Sequence, residues 1–182
     1  MSRERHTDTR SRIQQVALEL FTEQGYEKTA LREIAERLGV TKAALYYHFK
    51  TKEDIIGSIV EDSASRIDDL VEWAKTQPRS QETRHEVVRR YGEMARGRRQ
   101  MMRFMQENQP ALRDLKIGEI MKQRMMGLFD VLTEPDAPLT DQIRHRLALF
   151  AVHFGMMSPG LDATDDELDA AALKIAMELV ES

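Results

Sequence analysis

Apolar residues recur through most of this chain at intervals of three and four positions, the spacing that places them on one face of an α-helix. No stretch shows the alternation of β-branched and polar residues that is typical of a β-strand. The pattern therefore predicts an all-α protein. The first helix is expected from about residue 9 to residue 24, with its inward face formed by Ile13, Val16, Ala17, Leu20 and Phe21.

Residues 29–54 hold two shorter helical patterns that are separated by a turn. The first covers residues 31–38 and ends at Gly39, because glycine readily adopts the left-handed conformation found after helix C-termini. Thr41 is placed to cap a second helix that runs to about Phe49. The inward-facing residues of the pair are Leu31, Ile34, Ala35, Leu38, Leu45 and Phe49.

The outer face of the second helix has no core to fill, although it carries two tyrosines and a histidine. A lysine at its N-terminal end can donate to guanine O6 and N7, while an alanine can contact a thymine methyl group. Aromatic residues with polar tips can donate to phosphates beside the groove. This pair of helices is therefore interpreted as a helix-turn-helix whose second helix enters the major groove of DNA.

A further helix is expected to begin at Lys52 and to continue to about Lys75, with Thr51 and Asp54 forming a capping box at its start. Lys52 and the free N–H groups of the first turn would make a second phosphate site. The residues expected to contact DNA are Arg32, Thr41, Lys42, Ala43, Ala44, Tyr46, Tyr47, His48 and Lys52.

These motifs resemble the DNA-binding domain of TetR-type transcriptional regulators over roughly residues 9–69, without a gap. The residues that carry the resemblance are Gly25-Tyr26 with Thr29, Leu31-Arg32-Glu33-Ile34-Ala35, Leu38-Gly39-Val40-Thr41, Leu45-Tyr46-Tyr47-His48-Phe49 and Lys52-Glu53. Ala30 departs from the pattern, since the family often has a second hydroxyl residue there. The resemblance implies an all-α homodimer that binds a palindromic operator and represses until a small molecule displaces it.

The expected organisation is a three-helix DNA-binding head at residues 9–69, with its helix-turn-helix at about 31–50, followed by an effector-binding and dimerisation body at 70–182. The net charge of −4 is unevenly distributed. Residues 1–50 carry nine Lys and Arg against seven Asp and Glu, whereas the remainder carries 18 against 24. The positive field that attracts phosphate is therefore local to the head.

The chain has no cysteine, and no apolar run approaches the ~18 residues that a transmembrane helix needs. Its N-terminus is polar and lacks the core of a signal peptide, so a cytoplasmic protein without membrane contact is expected. An arginine-rich lead-in could reach a minor groove or form a solvated tail, and its members are Arg3, Arg5, Arg10 and Arg12.

The apolar positions between residues 87 and 129 are rich in methionine, a flexible and polarisable residue that suits surfaces for varied apolar partners. They form either an effector pocket or an ordinary core, and the family resemblance favours the pocket. The candidate pocket residues are Tyr91, Met94, Met101, Phe104, Met105, Met125, Phe129 and His153.

Two later segments, 143–157 and 168–179, repeat apolar residues in steps of four and three, as helices do that pack in a four-helix arrangement. These segments are predicted to pair with a second copy of the chain, although they could instead seal the chain's own core. The candidate interface residues are Ile143, Leu147, Phe150, Phe154, Met157, Leu168, Ala172, Ile175 and Leu179.

A different class of function, a helical-bundle metal or ligand carrier, is suggested by Glu82 and His85 at the Glu-x-x-His spacing of di-iron bundles. Those bundles need two such motifs, and this chain has one. The sequence contains no recognisable Ser/His/Asp set, glycine-rich phosphate loop or cofactor fingerprint. Neither catalysis nor a cofactor is expected.

Overall fold

In the computed structural model of this protein, the described residues are 2–96, 98–108, 112, 117–156 and 161–181, with the backbone alone described for residues 2–8, 99 and 156. Within these ranges the chain forms helices joined by turns and has no strand, so the predicted all-α fold is confirmed. The helices are α1 (Ser2–Gln24), α2 (Leu31–Leu38), α3 (Lys42–His48), α4 (Lys52–Lys75), α5 (Gln81–Arg96), α6 (Arg99–Glu107), α7 (Ile117–Leu132), α8 (Leu139–Met156) and α9 (Asp165–Leu179).

Helix α1 begins at Ser2, earlier than the start near residue 9 that the sequence predicts. Buried apolar side chains mark its inward face only from Ile13 onward, and the residues before it are mostly polar. Hydrophobic periodicity therefore carries no signal for the first part of this helix. Helix α4 has its predicted bounds, Lys52–Lys75.

The predicted helix ends are formed by the residues that the sequence indicates. Gly39 has a φ of 72°, the left-handed conformation that ends α2. At the start of α4, the Asp54 N–H donates to Thr51 Oγ1 at 3.0 Å and the Thr51 N–H donates to Asp54 Oδ2 at 2.9 Å. Thr164 and Glu167 form the same reciprocal pair before α9. These contacts satisfy backbone groups that a helix end leaves without a partner.

The chain divides into two compact units, here called the N-terminal unit (Met1–Ser63 with Met101–Ile117) and the C-terminal unit (Ala64–Gln100 with Gly118–Ser182). The predicted functional domains, 9–69 and 70–182, remain a prediction. The compact units differ from them because the N-terminal unit also contains most of α6.

Aromatic packing connects α6 to the core of the N-terminal unit. The Phe104 ring stacks on Phe21 with a centroid distance of 5.5 Å, and Tyr26 meets Phe21 and Phe104 edge-on at 5.1 and 5.9 Å. All three side chains are almost completely buried. Such pairs add to the stabilisation that burial of the rings provides. The remaining core contains Phe49 and is otherwise mainly aliphatic, with Ile13, Leu20, Ile34, Leu45, Ile55 and Ile56 among its members.

The core of the C-terminal unit forms around Tyr91 and Val88 of α5, Leu128 of α7 and Leu149 of α8. Helices α8 and α9 approach each other closely at Gly155, since a Cβ atom there would lie 2.4 Å from the Ala172 Cβ and 3.1 Å from the Leu168 carbonyl oxygen. Only glycine fits without displacing one of the helices.

Phe104→Ala is expected to lower the free energy of unfolding by about 3–5 kcal/mol, because it leaves a cavity between Phe21 and Tyr26. Chemical denaturation followed by circular dichroism measures this loss. Gln106→Ala, an exposed position on the same helix, is the control. A loss no larger than that of the control would contradict the buried packing of Phe104.

Gly155→Ala is expected to destabilise the protein by about 1–3 kcal/mol, because the added methyl group overpacks the contact with Ala172. Gly118→Ala is the matched control, since its Cβ atom would meet nothing within 4 Å. The control variant should be as stable as the wild type or more stable by up to about 1 kcal/mol. Equal melting temperatures for both variants would argue against a close α8–α9 contact.

Candidate DNA-binding surface and effector groove

Helix α3 is fixed to the N-terminal unit by its inner face. Leu45 is fully buried, and Phe49, the residue that ends the helix, is 2% exposed. Thr41 Oγ1 accepts the Ala44 N–H at 3.1 Å, which holds the first turn of α3 directly after the turn at Gly39. The opposite face of α3 consequently points away from this core.

That outer face carries the residues that the sequence predicts for base contacts. Lys42, Ala43 and Ala44 are exposed, and Tyr47 has 73% of its surface exposed. The Lys42 Nζ lies 5.3 Å from the centre of the Tyr46 ring, a cation–π distance that holds the lysine along the helix. Tyr47 therefore offers both an apolar ring and a polar hydroxyl to a partner on this side of α3.

The other residues predicted to contact DNA make different contacts within the chain. Arg32 pairs with Glu36 at 3.1 Å across an exposed helix face, and a pair of this kind contributes only about 0.3–0.5 kcal/mol, so a phosphate could replace it. The hydroxyl hydrogen of Thr41 remains able to donate while its oxygen caps α3. The Tyr47 and His48 rings meet edge-on at a centroid distance of 5.4 Å.

Lys52 has a structural role that the sequence does not indicate. Its Nζ donates to the Tyr26 carbonyl oxygen at 2.6 Å and lies 4.4 Å from the centre of the Tyr26 ring. The Tyr26 hydroxyl in turn donates to Glu53 Oε1 at 2.5 Å. This hydrogen bond is the largest of the effects that lower the pKa of Glu53. The pKa of Tyr26 is raised, mainly because the side chain is buried and secondly because Glu53 accepts its hydroxyl proton in a hydrogen bond. The phosphate contact expected of Lys52 remains a prediction.

The C-terminal unit contains an open groove of about 1150 Å³ between α7, α8 and α9. Among the residues that the structure describes around it, only Lys122 and His153 carry polar side chains. The apolar residues that line it are Met125, Met126, Phe129, Leu147, Phe150, Ala151, Phe154, Gly155, Leu161, Leu168, Ala171, Ala172, Ile175 and Leu179.

The predicted effector residues are divided between the two units. Met125, Phe129 and His153 line the groove, and Tyr91 lies beneath it with its hydroxyl oxygen 3.0 Å from His153 Nδ1 and 3.4 Å from the Met125 sulfur. Met94 packs against the core of the C-terminal unit.

Three other predicted pocket residues belong to the N-terminal unit, namely Met101, Phe104 and Met105. They do not line this groove, and Phe104 instead packs in the aromatic core with Phe21 and Tyr26. A helix spaces its apolar residues in the same way whether they fill a core or line a pocket. Periodicity along α6 therefore does not distinguish these two locations.

Most of the predicted dimer-interface residues lie on an outer apolar face of α8 and α9. Large exposed fractions are found at Phe150 (59%) and Phe154 (70%), and about half of the surface is exposed at Ile143, Leu147 and Ile175. Leu168 and Leu179 are partly buried.

Two of the predicted interface residues differ from this set. Ala172 is buried beside Gly155 of its own chain, as an intramolecular helix contact requires. Met157 lies outside the described residues.

The described part of the chain has no group of three or more His, Cys, Asp or Glu side chains that could hold a metal ion. None of its described helices combines the length and the apolar character that crossing a bilayer requires.

The geometry of α2, the turn at Gly39 and α3 defines a helix-turn-helix protein. The family model for bacterial regulatory proteins of the tetR family matches residues 13–59. Residues 13–59 therefore form a DNA-binding domain of the TetR type, and the family that this domain defines is made up of transcriptional regulators, not enzymes.

Two relatives and one solved structure illustrate the similarity. The HTH-type transcriptional regulator AcrR of Shigella flexneri is 49% identical over 63 residues, which are 35% of this chain and 29% of AcrR. IcaR of Staphylococcus epidermidis, a negative transcriptional regulator of the biofilm operon icaADBC, is 44% identical over 46 residues, 25% of each protein. The matches thus span less than a third of either relative.

The likeness to solved structures extends over nearly the whole chain. A transcriptional regulator from Aquifex aeolicus VF5 superposes with a TM-score of 0.72 and 23% identity, covering 91% of this chain and 96% of that one. At this level of identity the likeness establishes the fold, a helix-turn-helix head followed by a helical body.

The titration of His153 provides a test of the groove geometry. Burial lowers the pKa of His153, although a hydrogen bond to the Leu149 carbonyl opposes the shift. The folded protein therefore binds fewer protons than the unfolded chain once the pH falls below the unfolded value of about 6.5, and stability is lost in that direction. We expect the melting temperature to fall between about pH 7.5 and pH 5.5, and to fall less in His153→Gln.

Lys122→Gln changes the other polar side chain of the groove wall without removing a histidine, and it is the control. It should show the same loss of melting temperature as the wild type. An identical loss in His153→Gln would contradict a buried, neutral His153.

Proposed function

We propose that this protein is a homodimeric, sequence-specific regulator of transcription that represses its target until a small, largely apolar effector releases it from DNA. The observation that carries the proposal is the outer face of α3, where Lys42, Ala44 and Tyr47 lie exposed on a helix whose inner face is fixed by Leu45. The match of residues 13–59 to the tetR family of bacterial regulatory proteins supports a regulatory role for this surface.

In this proposal Lys42 and Ala44 contact base edges, since the N-terminal residues of a recognition helix reach them first. Arg32, Thr41, Tyr46, Tyr47 and His48 hold phosphates or the edge of the groove. The net positive charge of residues 1–50 supports such docking despite the acidic remainder of the chain.

Dimerisation is proposed through the outer face of α8 and α9. Phe150, Phe154 and Ile175 each expose half or more of their surface on this face, and a contiguous exposed apolar patch marks an interaction site. A second copy would cover this face through a symmetric interface in which the same residues meet from both chains. Two heads would then read two half-sites about 34–36 Å apart, as a palindromic operator requires.

Repression is the direction of regulation that we propose. Among the relatives, IcaR is a negative transcriptional regulator, and AcrR is an HTH-type regulator that shares more of this chain. A dimer seated on an operator blocks access to the DNA beneath it, so no further enzyme or cofactor is needed for this effect.

Effector release requires a connection between the groove and α3. The chain passes between the two compact units inside α4, inside α6 and at the start of α7, at Ser63–Ala64, Gln100–Met101 and Ile117–Gly118. Because a helix transmits displacement along its axis, these segments are the covalent route that we propose for the signal.

Lys42→Ala is expected to weaken discrimination at one base-pair position by about 1–3 kcal/mol, because it removes a base-edge donor. Arg32→Ala should weaken binding to all sequences alike and reduce the salt slope by about one. Gel-shift titration on the DNA upstream of the gene, repeated with single base changes and at several salt concentrations, separates these effects.

Lys75→Ala is the control for these DNA measurements, since it removes an exposed lysine that pairs with Glu72 in the C-terminal unit. Wild-type affinity and salt slope in both Lys42→Ala and Arg32→Ala would refute the docking proposal.

Phe154→Asp is expected to convert the dimer to a monomer at micromolar concentration, because it places a charge in the centre of the apolar face. Analytical ultracentrifugation measures the change in mass. Tyr47→Ala removes an equally exposed aromatic from α3 and should leave the dimer intact while weakening DNA binding. A wild-type protein that sediments as a monomer would overturn the proposed assembly.

A further inference from the structure

Two N–H groups just before α4 are occupied by a carboxylate of the chain itself. Asp54 Oδ2 accepts the Lys50 N–H at 3.0 Å and the Thr51 N–H at 2.9 Å. Lys52 is likewise directed into the chain, since its Nζ donates to the Tyr26 carbonyl oxygen at 2.6 Å and lies 4.4 Å from the centre of the Tyr26 ring. A phosphate at this position would have to displace these contacts and approach the Asp54 carboxylate.

A different pair of cations lies at the C-terminal end of α3. Lys50 is exposed, and its Nζ donates to the Tyr46 carbonyl oxygen in the last turn of the helix. Arg10 of α1 is half-buried, and its Cζ lies 5.2 Å from the centre of the Phe49 ring. Because Phe49 ends α3 and is 2% exposed, Arg10 is held against a fixed surface.

These contacts leave both cations with donors for a further partner. An arginine over an aromatic ring is attracted through its charge, and this attraction uses none of its five N–H donors. An ammonium group has three donors, and the bond from Lys50 to the Tyr46 carbonyl uses one of them. A hydrogen bond from an ammonium group to a phosphate is also stronger than one to a neutral carbonyl, because both partners are charged.

The length of α3 brings this end of the helix near the DNA backbone in the proposed docking. Seven residues span about 10 Å along a helix axis, close to the ~12 Å width of the major groove. Lys42 and Ala44 at the N-terminal end meet the base edges in that docking. The C-terminal end then lies at the edge of the groove, where recognition helices of other proteins contact the backbone.

We propose that Arg10 and Lys50 form a phosphate clamp at the C-terminal end of α3, in place of the phosphate contact expected of Lys52. Arg10 donates to a phosphate oxygen while it remains on the Phe49 ring. Lys50 exchanges the Tyr46 carbonyl for a phosphate oxygen, and Lys52 holds the start of α4 in place. This inference rests on the proposed function, since it adds two contacts to the same DNA-binding surface.

Gel-shift titration on the DNA upstream of the gene, at several salt concentrations, counts such contacts. The slope of log affinity against log salt concentration changes by about 0.9 for each phosphate that the protein neutralises. Arg10→Met and Lys50→Gln should each reduce the slope by about 0.9 for every bound head. Discrimination against single base changes should stay within about twofold of the wild type, because phosphate contacts carry no sequence information. Arg10→Lys keeps the charge and should keep the wild-type slope.

A purely structural role for these residues predicts other outcomes. Arg10→Met retains an apolar side chain over Phe49, so its melting temperature should stay close to that of the wild type. Lys52→Gln should melt at a lower temperature and keep the wild-type slope, because it loses the contacts with Tyr26. A wild-type slope in both Arg10→Met and Lys50→Gln would overturn the clamp, and so would a slope reduced in Lys52→Gln alone.

Arg37→Gln is the matched control, because it removes an exposed arginine of the same unit that pairs with Glu23 at 3.0 Å. It should keep the wild-type slope, and an equal fall in this variant would trace the effect to net charge and overturn the clamp. A wild-type protein that fails to bind the DNA refutes the proposed function itself. Binding by the wild type with unchanged slopes in the clamp variants refutes the clamp alone.

Discussion

The packing of Phe104 on Phe21 and Tyr26 is the contact on which the arrangement of the N-terminal unit depends. It inserts a side chain of α6 into a core that is built mainly from the first sixty residues of the chain, with Met101 and Leu112 as further buried members. Tyr26 extends the same contact to α4 through its hydrogen bond to Glu53 and through Lys52, whose ammonium group donates to the Tyr26 carbonyl. The segment between α1 and α2 is thereby tied to the first turn of α4, the element that directly follows α3.

Much of this arrangement can be predicted from the sequence because local rules and burial agree. The bounds of α2 and α4, the left-handed Gly39 and the capping box of Thr51 and Asp54 follow from short-range patterns that tertiary packing does not oppose. The exposed face of α3 is predictable for the same reason. Leu45 and Phe49 must be buried, so the opposite face of the helix has to point toward solvent. The outward seam of α8 is visible as a periodicity, though periodicity alone does not reveal which face remains uncovered.

Other features depend on contacts between distant residues and have no local signal. The apolar spacing of α6 suits a pocket as well as a core, and only the stacking of Phe104 on Phe21 decides between them. The roles of Lys52 and Tyr26 are hidden in the same way, because 26 residues separate the two along the chain.

An effector can release a regulator from DNA only by the difference between its affinities for the two states of the protein. A hundredfold change in DNA affinity needs a coupling free energy of about 2.8 kcal/mol, more than most surface ion pairs supply. Contacts such as Arg32 with Glu36 are therefore poor sources of the signal. Burial of an apolar side chain is a larger source, since it stabilises a state by about 1.5–3 kcal/mol when it is complete. That gain becomes a signal only where an effector buries the side chain in one state of the protein and not in the other.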